Sequence, residues 1–220
     1  MYSFGQRPDT IILDEPLYAH YLCQTGLDHP GREEVISSQE NDGNKVIAGV
    51  LLANYNQPNV FFKNMAKHLI GVDLFFLSQL KNVLLIRDPV EMLPSFIKNV
   101  KNPTLQETAL QDQWELFTYL NSIGLPPSII DSKDLLSNPK EILKNLCEHL
   151  DIEFLGSMLA WPSGPRKEDG VWAKYWYKNV HNSTGFQAYS AKKDPISPQF
   201  EPLLEECNIY YQKLYEKRLT

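Results

Sequence analysis

The chain has 220 residues, of which 43% are hydrophobic and 22% charged, and its net charge is −6. This is the make-up of one globular domain spanning 1–220, or one domain with a small appendage, and it excludes a long disordered tract. The acidic balance argues against a nucleic-acid partner but leaves room for a local cationic pocket built from a few residues.

Short apolar runs alternate with helical patterns. Thr10 to Leu13 follows Arg7-Pro8-Asp9 and reads as a strand, because the proline resists helix continuation. Pro16 to Thr25 is a helix ended by Gly26, and Gly31 to Glu40 and Asn44 to Ala53 are two more. Asn59 to Phe62 is a second strand, and Asp73 to Leu80 carries apolar residues at helical spacing. Asn82 to Ile86 is the clearest strand: it is continuously apolar, as expected where helices cover both faces of a parallel sheet. Pro89 to Lys98 opens with proline in its first turn, and Leu105 to Ile123 is a long helix ending at Gly124. Pro127 to Ile130 is a fourth strand; helices over Asn138 to Leu150 and Pro198 to Arg218 complete the pattern. The rhythm predicts an α/β fold, a parallel β-sheet flanked by helices on both faces. The stretch 161–198 lacks periodicity and reads as a long loop or lid.

Cys23, Cys147 and Cys207 have no metal-ligand or redox spacing, so buried thiols in a reducing, cytoplasmic setting are expected. No basic segment followed by an apolar stretch opens the chain, and no run approaches the roughly 18 apolar residues of a membrane span. A membrane partner is therefore not expected.

The segment Val83-Leu-Leu-Ile-Arg-Asp-Pro-Val-Glu-Met-Leu-Pro-Ser95 places Arg87 at the carboxyl end of a strand and Ser95 eight residues later on the following helix. Ligands of open α/β sheets bind at that end, and an arginine with a serine there can cradle a phosphate. Arg87 pairing with Asp88 or Glu91, with Ser95 merely lining a helix, accounts for the same residues. Asp14-Glu15-Pro16 follows a strand; either it is a capped turn, or one of its carboxylates, Glu15, faces a pocket and orients an acceptor or a lysine. Arg166 and Lys167 either close over a phosphate or form a solvated charge pair. Trp172, Trp176 and Tyr177 are read as stabilising their loop, His181 suggests a polar ligand contact, and Met65, Phe75 and Phe76 are assigned to the core.

The Arg-x-Pro pattern with its serine resembles the 3′-phosphate motif of the sulfotransferases that use 3′-phosphoadenosine-5′-phosphosulfate (PAPS). Other segments are similar in the same chain order. Phe61-Phe-Lys-Asn-Met-Ala-Lys-His-Leu69 resembles the segment supplying the catalytic base. Asp134-Leu-Leu-Ser-Asn-Pro139 and Pro165-Arg-Lys-Glu-Asp-Gly-Val-Trp172 resemble a later helix start and a basic loop near the 3′-phosphate. Arg7-Pro-Asp-Thr10, Asp14-Glu-Pro-Leu-Tyr-Ala-His20 and His29-Pro-Gly31 are similar to a sulfotransferase-like subgroup of bacterial proteins, also seen ahead of an aminotransferase-like domain in plants.

The resemblance implies a P-loop NTPase-like sulfotransferase fold. It implies PAPS as co-substrate without a metal, and a small-molecule acceptor carrying a hydroxyl or amine; homodimerisation stays open. Arg87 and Ser95 would hold the 3′-phosphate, with Arg166 and Lys167 nearby, and His68 would take the acceptor's proton, as a neutral imidazole can. Lys63 or Lys67 would stabilise developing charge, with Lys63 at the strand end the choice and Lys67 expected to face solvent. The other reading of His68 is an ordinary exposed loop residue. Two departures stand out. Met1 to Arg7 is similar to the second half of the family's first helix, so the first strand and the 5′-phosphosulfate loop are expected to be missing from this chain. Ser132 stands where many relatives have an adenine-contacting tyrosine. The rival expectation is a non-catalytic nucleotide-binding or interaction protein; a nucleotide kinase is disfavoured because no GxxxxGK[ST] occurs.

Overall fold

In a computed structural model the described residues are 1–98, 100, 103–191 and 194–220. The chain forms two compact units, one of residues 1–79 with 155–186, the other of 80–154 with 187–220.

The first unit opens with a turn of 3-10 helix at Phe4–Gln6 and strand β1 (Thr10–Asp14). Helices α1 (Tyr18–Thr25), α2 (Arg32–Ser38) and α3 (Gly43–Val46) follow, and α3 runs on as a π-helical turn, Ile47–Leu51. Gly26 at φ 68° ends α1, the left-handed stop the sequence predicts. Strand β2 (Asn59–Lys63) pairs with β1 in parallel, Thr10 opposite Asn59 through Asp14 opposite Lys63. One face of α1 packs Tyr18, Tyr21 and Leu22 against Val35 of α2 and Trp172 in an aromatic core.

The second unit contains β3 (Val83–Ile86), α4 (Pro89–Phe96), α5 (Leu105–Thr108) and α6 (Leu110–Ser122). These are followed by β4 (Ser128–Asp131), α7 (Ser132–Ser137) and α8 (Pro139–His149). In the first unit's second segment lie α9 (Ala173–Trp176) and α10 (Lys178–His181), and α11 (Glu201–Tyr215) returns to the second unit. Strands β3 and β4 pair in parallel, so each unit holds one parallel pair flanked by helices, the α/β class read from the sequence. Among the described residues no helix is long and apolar enough to cross a membrane.

Several local expectations are corrected. The long helix from Leu105 is broken at Ala109, whose φ of 61° ends α5 and starts α6; a lone left-handed alanine leaves no mark in hydrophobic spacing. Leu85 is 55% exposed between buried Leu84 and Ile86, so the apolar run of β3 does not mean that both its faces are covered. Phe75 is 65% exposed and Met65 is also exposed, whereas Phe76 is buried as expected. Cys147 and Cys207 are buried but Cys23 is exposed. The stretch 161–198 is not without structure. It carries α9 and α10, and Gly185 bridges to Ala160, while Lys192 and Lys193 lie outside the described residues.

Asp131, wholly buried at the end of β4, ties the second unit together. Its carboxylate accepts from the amides of Lys133 and Asp134, at 2.8 and 3.3 Å, and from the Tyr211 hydroxyl of α11 at 3.0 Å. Removing it strips a helix cap and orphans a buried hydroxyl. Asp131→Ala should therefore lower the unfolding free energy by about 3 kcal/mol, and Tyr211→Phe by about 1 kcal/mol, in urea titrations.

Candidate functional site

The register of the first strand pair brings a carboxylate and an ammonium together. Asp14 and Lys63 are opposite residues at the carboxyl ends of β1 and β2, so their side chains leave the same face. The Glu15 amide donates to the Lys63 carbonyl at 2.7 Å, extending the ladder by one step. Glu15 itself has φ 41°. The sequence expectation was that only one of the two adjacent carboxylates would face the pocket; both reach Lys63. In extended chain neighbouring side chains point to opposite faces, but the left-handed step at Glu15 breaks that alternation. Lys63 Nζ donates to Glu15 Oε1 and lies 3.6 Å from Asp14 Oδ1. The Gln39 amide holds the turn, donating to the Glu15 carbonyl and accepting from the Ala19 amide, both at 3.0 Å.

His68 follows β2 on a single turn of 3-10 helix, Ala66–Leu69. It is not an exposed loop residue: it is 1% exposed, stacked on Tyr18 with ring centroids 5.0 Å apart and a 6° interplanar angle, with Tyr21 at 4.8 Å. Its Nδ1 is buried without a hydrogen-bond partner and lies 3.9 Å from Glu15 Oε2. That distance is too long for a hydrogen bond, and burial, then the Lys67 and Lys63 charges, hold the imidazole well below its ordinary value. The ring is therefore neutral near pH 7, with the Glu15 carboxyl beside it. Burial pushes that carboxyl up, against the opposing pull of Lys63. Lys67 does not simply face solvent; its ammonium lies over the Tyr21 ring, 5.2 Å from the centroid.

The Tyr177 hydroxyl completes the cluster, 2.8 Å from Lys63 Nζ and 2.8 Å from both oxygens of Asp14. The Gly170 amide donates to Asp14 Oδ2 at 3.3 Å, at a position where a Cβ would overlap the Trp172 ring. Tyr177 thus does more than stabilise its loop, and Asp14 joins the cluster alongside Glu15. No spacing signal links residue 177 to residues 14 and 63, since only the fold joins them. His181 meets Asp169 rather than an open surface, its Nε2 lying 2.9 Å from Oδ2, and Asp169 also accepts from Tyr2. Arg166 donates to the Pro162 carbonyl at 2.6 Å and stacks over Tyr2. The Lys167 side chain is 90% exposed with its Nζ 3.6 Å from Glu168 Oε1.

In the second unit Asp88 caps α4 by accepting from the Val90 amide at 2.8 Å, and this turn presents Arg87. Arg87 pairs with neither Asp88 nor Glu91 through a carboxylate. Its Nη2 donates to the Glu91 main-chain carbonyl at 3.3 Å, one helical turn before Ser95, and among the described residues it has no ion-pair partner. The Ser95 hydroxyl donates to the Met92 carbonyl at 2.9 Å. The Glu91 carboxylate is engaged instead by the Tyr189 hydroxyl, whose ring also carries Lys133 at 5.4 Å, contacts that local pattern does not reveal. Ser132 begins α7. Among the described residues no group of three or more His, Cys, Asp or Glu side chains is placed to hold a metal ion.

The buried His68 makes stability depend on pH. Its folded value lies below the unfolded one, near 6.5, so the unfolded chain binds the extra proton first and stability falls as pH drops through that value. The raised Glu15 carboxyl acts in the opposite sense, its cost growing as pH rises above its ordinary 4.5. Between pH 7 and 5 the native chain should lose up to about 2 kcal/mol more than His68→Phe, which keeps the stacked ring; urea titrations at each pH measure this.

A family profile described as Sulfotransferase domain matches residues 1–214. Two Arabidopsis thaliana proteins, branched-chain-amino-acid aminotransferase-like proteins 1 and 2, are 44% identical over 196 residues and 39% identical over 215. Those matches cover 89% and 97% of this chain but 35% and 38% of the plant proteins, so the chain spans little more than a third of these relatives. Among solved structures, the sulfotransferase domain from the curacin biosynthetic pathway aligns with a TM-score of 0.45 and 17% identity, over 87% of this chain and 78% of that one. With the family profile running through both strand pairs and every site residue described above, the chain belongs to the sulfotransferase domain family.

Proposed function

We propose that the chain transfers a sulfuryl group from PAPS to a hydroxyl or amine of a small-molecule acceptor. The observation that carries this reading is the buried, unpartnered Nδ1 of His68 beside Glu15 and Lys63. A neutral imidazole with a free lone pair can take the acceptor's proton. As the new S–O or S–N bond forms, the bond from sulfur to the donor's bridging oxygen breaks, and its electron pair leaves on adenosine 3′,5′-bisphosphate. Lys63 is the cation suited to that developing charge, and Glu15 orients it. Arg87 and Ser95 are assigned to the 3′-phosphate. The residues suit that group, because Arg87 is half-buried and its guanidinium has five N–H donors, of which one hydrogen bond to a carbonyl is seen. Arg166 and Lys167 remain further phosphate candidates, supported only by their charge.

The name of the plant relatives describes proteins of which this chain matches little more than a third, and it assigns no chemistry to the residues above. The test uses radiolabelled PAPS with a phenol, a primary alcohol and a primary amine as acceptors. A sulfated product is expected, with kcat reduced about a hundredfold or more by His68→Ala. Arg87→Ala should weaken adenosine 3′,5′-bisphosphate binding about tenfold or more in calorimetry. Bisphosphate binding without product or donor hydrolysis would instead mark a nucleotide-binding protein without turnover; binding unchanged by Arg87→Ala would refute the phosphate assignment.

A further inference from the structure

The Tyr177 hydroxyl has one proton and two lone pairs, and its neighbours leave no freedom in how they are used. The Lys63 ammonium can only donate, and the Asp14 carboxyl oxygens accept. The hydroxyl therefore accepts from Lys63 at 2.8 Å and donates to Asp14 at 2.8 Å. Each bond strengthens the other, because a hydroxyl that donates to a carboxylate is a better acceptor for a cation. Burial and the charges of Glu15 and Asp14 push the phenol up, so this polarity persists across the working pH range.

Three donors make up an ammonium, and around Lys63 they meet Glu15, Tyr177 and, at longer range, Asp14. The four-carbon stem of a lysine has no fixed geometry of its own, so these partners decide where the charge sits. Asp14 is in turn fixed by the Tyr177 hydroxyl and the Gly170 amide, both from the same stretch of chain. Tyr177 stands where the backbone passes from α9 to α10. The Tyr177 amide donates to the Ala173 carbonyl, and its own carbonyl accepts from the His181 amide, each at 2.8 Å. The phenol is thus carried on a hydrogen-bonded frame, and its ring lies with its centroid 5.1 Å from Lys63 Nζ.

We propose that Tyr177 is a positioning residue for Lys63, its hydroxyl bridging Asp14 to the ammonium and fixing the cation at the strand ends. The catalytic use of this placement rests on the sulfuryl-transfer reading, whereas the placement itself does not. A tyrosine that only packed its loop would act through its ring, which the His181 and Lys63 contacts use and which phenylalanine preserves.

The test is Tyr177→Phe in the full chain, read by the acetylation rate of Lys63 with a sulfosuccinimidyl acetate reagent. Peptide mass spectrometry would normalise that rate to exposed Lys140. With one holding partner gone, Lys63 should label about threefold to tenfold faster relative to Lys140; an unchanged ratio overturns the proposal. On the unaltered chain, the Lys63 ammonium protons should exchange with water more slowly than those of Lys140 in ¹⁵N NMR, and equal exchange also overturns it. This second measurement decides the matter if the variant fails to fold. Where transfer from PAPS is detected, Tyr177→Phe should lower kcat about tenfold with the donor KM within about twofold, since positioning is lost and binding is not. An unaffected kcat would contradict the catalytic part. Faster labelling in a chain that makes no sulfated product would leave the Lys63 placement standing and sink the transfer reading.

Discussion

Lys63 carries the one interaction around which the first unit is arranged. Its ammonium sits at the carboxyl ends of two parallel strands, in reach of Asp14, Glu15 and Tyr177. Taking charges out of water costs several kcal/mol per ion, so a cation and two nearly buried carboxylates persist there only if they satisfy one another. That condition constrains everything nearby. The β1–β2 register cannot slip by a residue without parting Asp14 from Lys63, and the left-handed step at Glu15 is what brings the second carboxylate round. Tyr177 and Gly170 are drawn onto Asp14 from a segment more than a hundred residues away in sequence.

The same cluster sets the state of His68. With two aromatic rings against it and cations rather than a bonded carboxylate controlling its surroundings, the imidazole is kept neutral and one nitrogen is left without a partner. A buried polar atom without a partner is costly, and such costs concentrate at functional sites. Lys63 meets two carboxylates, Asp14 and Glu15. In the second unit Arg87 is differently placed, a half-buried guanidinium turned to a main-chain carbonyl and not to a carboxylate. The two cations therefore differ in their partners, Lys63 meeting carboxylates and Arg87 a main-chain carbonyl.

Much of this was legible in the sequence because it is written in short-range pattern. All four strands lie where β-branched and apolar runs placed them, and Gly26 and the proline opening α8 mark helix ends as read. Glu15, Lys63 and His68, singled out from strand ends and a resemblance, are neighbours in space. The misses are of another kind. The break at Ala109 and the turn at Glu15 depend on single left-handed residues, which apolar periodicity does not register. Tyr177, Asp169 and Tyr189 meet Asp14, Tyr2 and Glu91 over long sequence separations. Phe75 and Leu85 look like core residues, and their exposure is set by what packs on each face rather than by their own hydrophobicity.

The central claim is that this network keeps His68 neutral, with its Nδ1 unpartnered near Glu15. The ¹⁵N chemical shifts of the His68 ring, followed from pH 8 to pH 5 in the folded chain, test it most directly. The account predicts a neutral imidazole across that interval, with no protonation midpoint near the ordinary value of 6.5. An imidazole that titrates at that ordinary value would show that the ring is neither buried nor governed by its cationic neighbours, and would contradict the account.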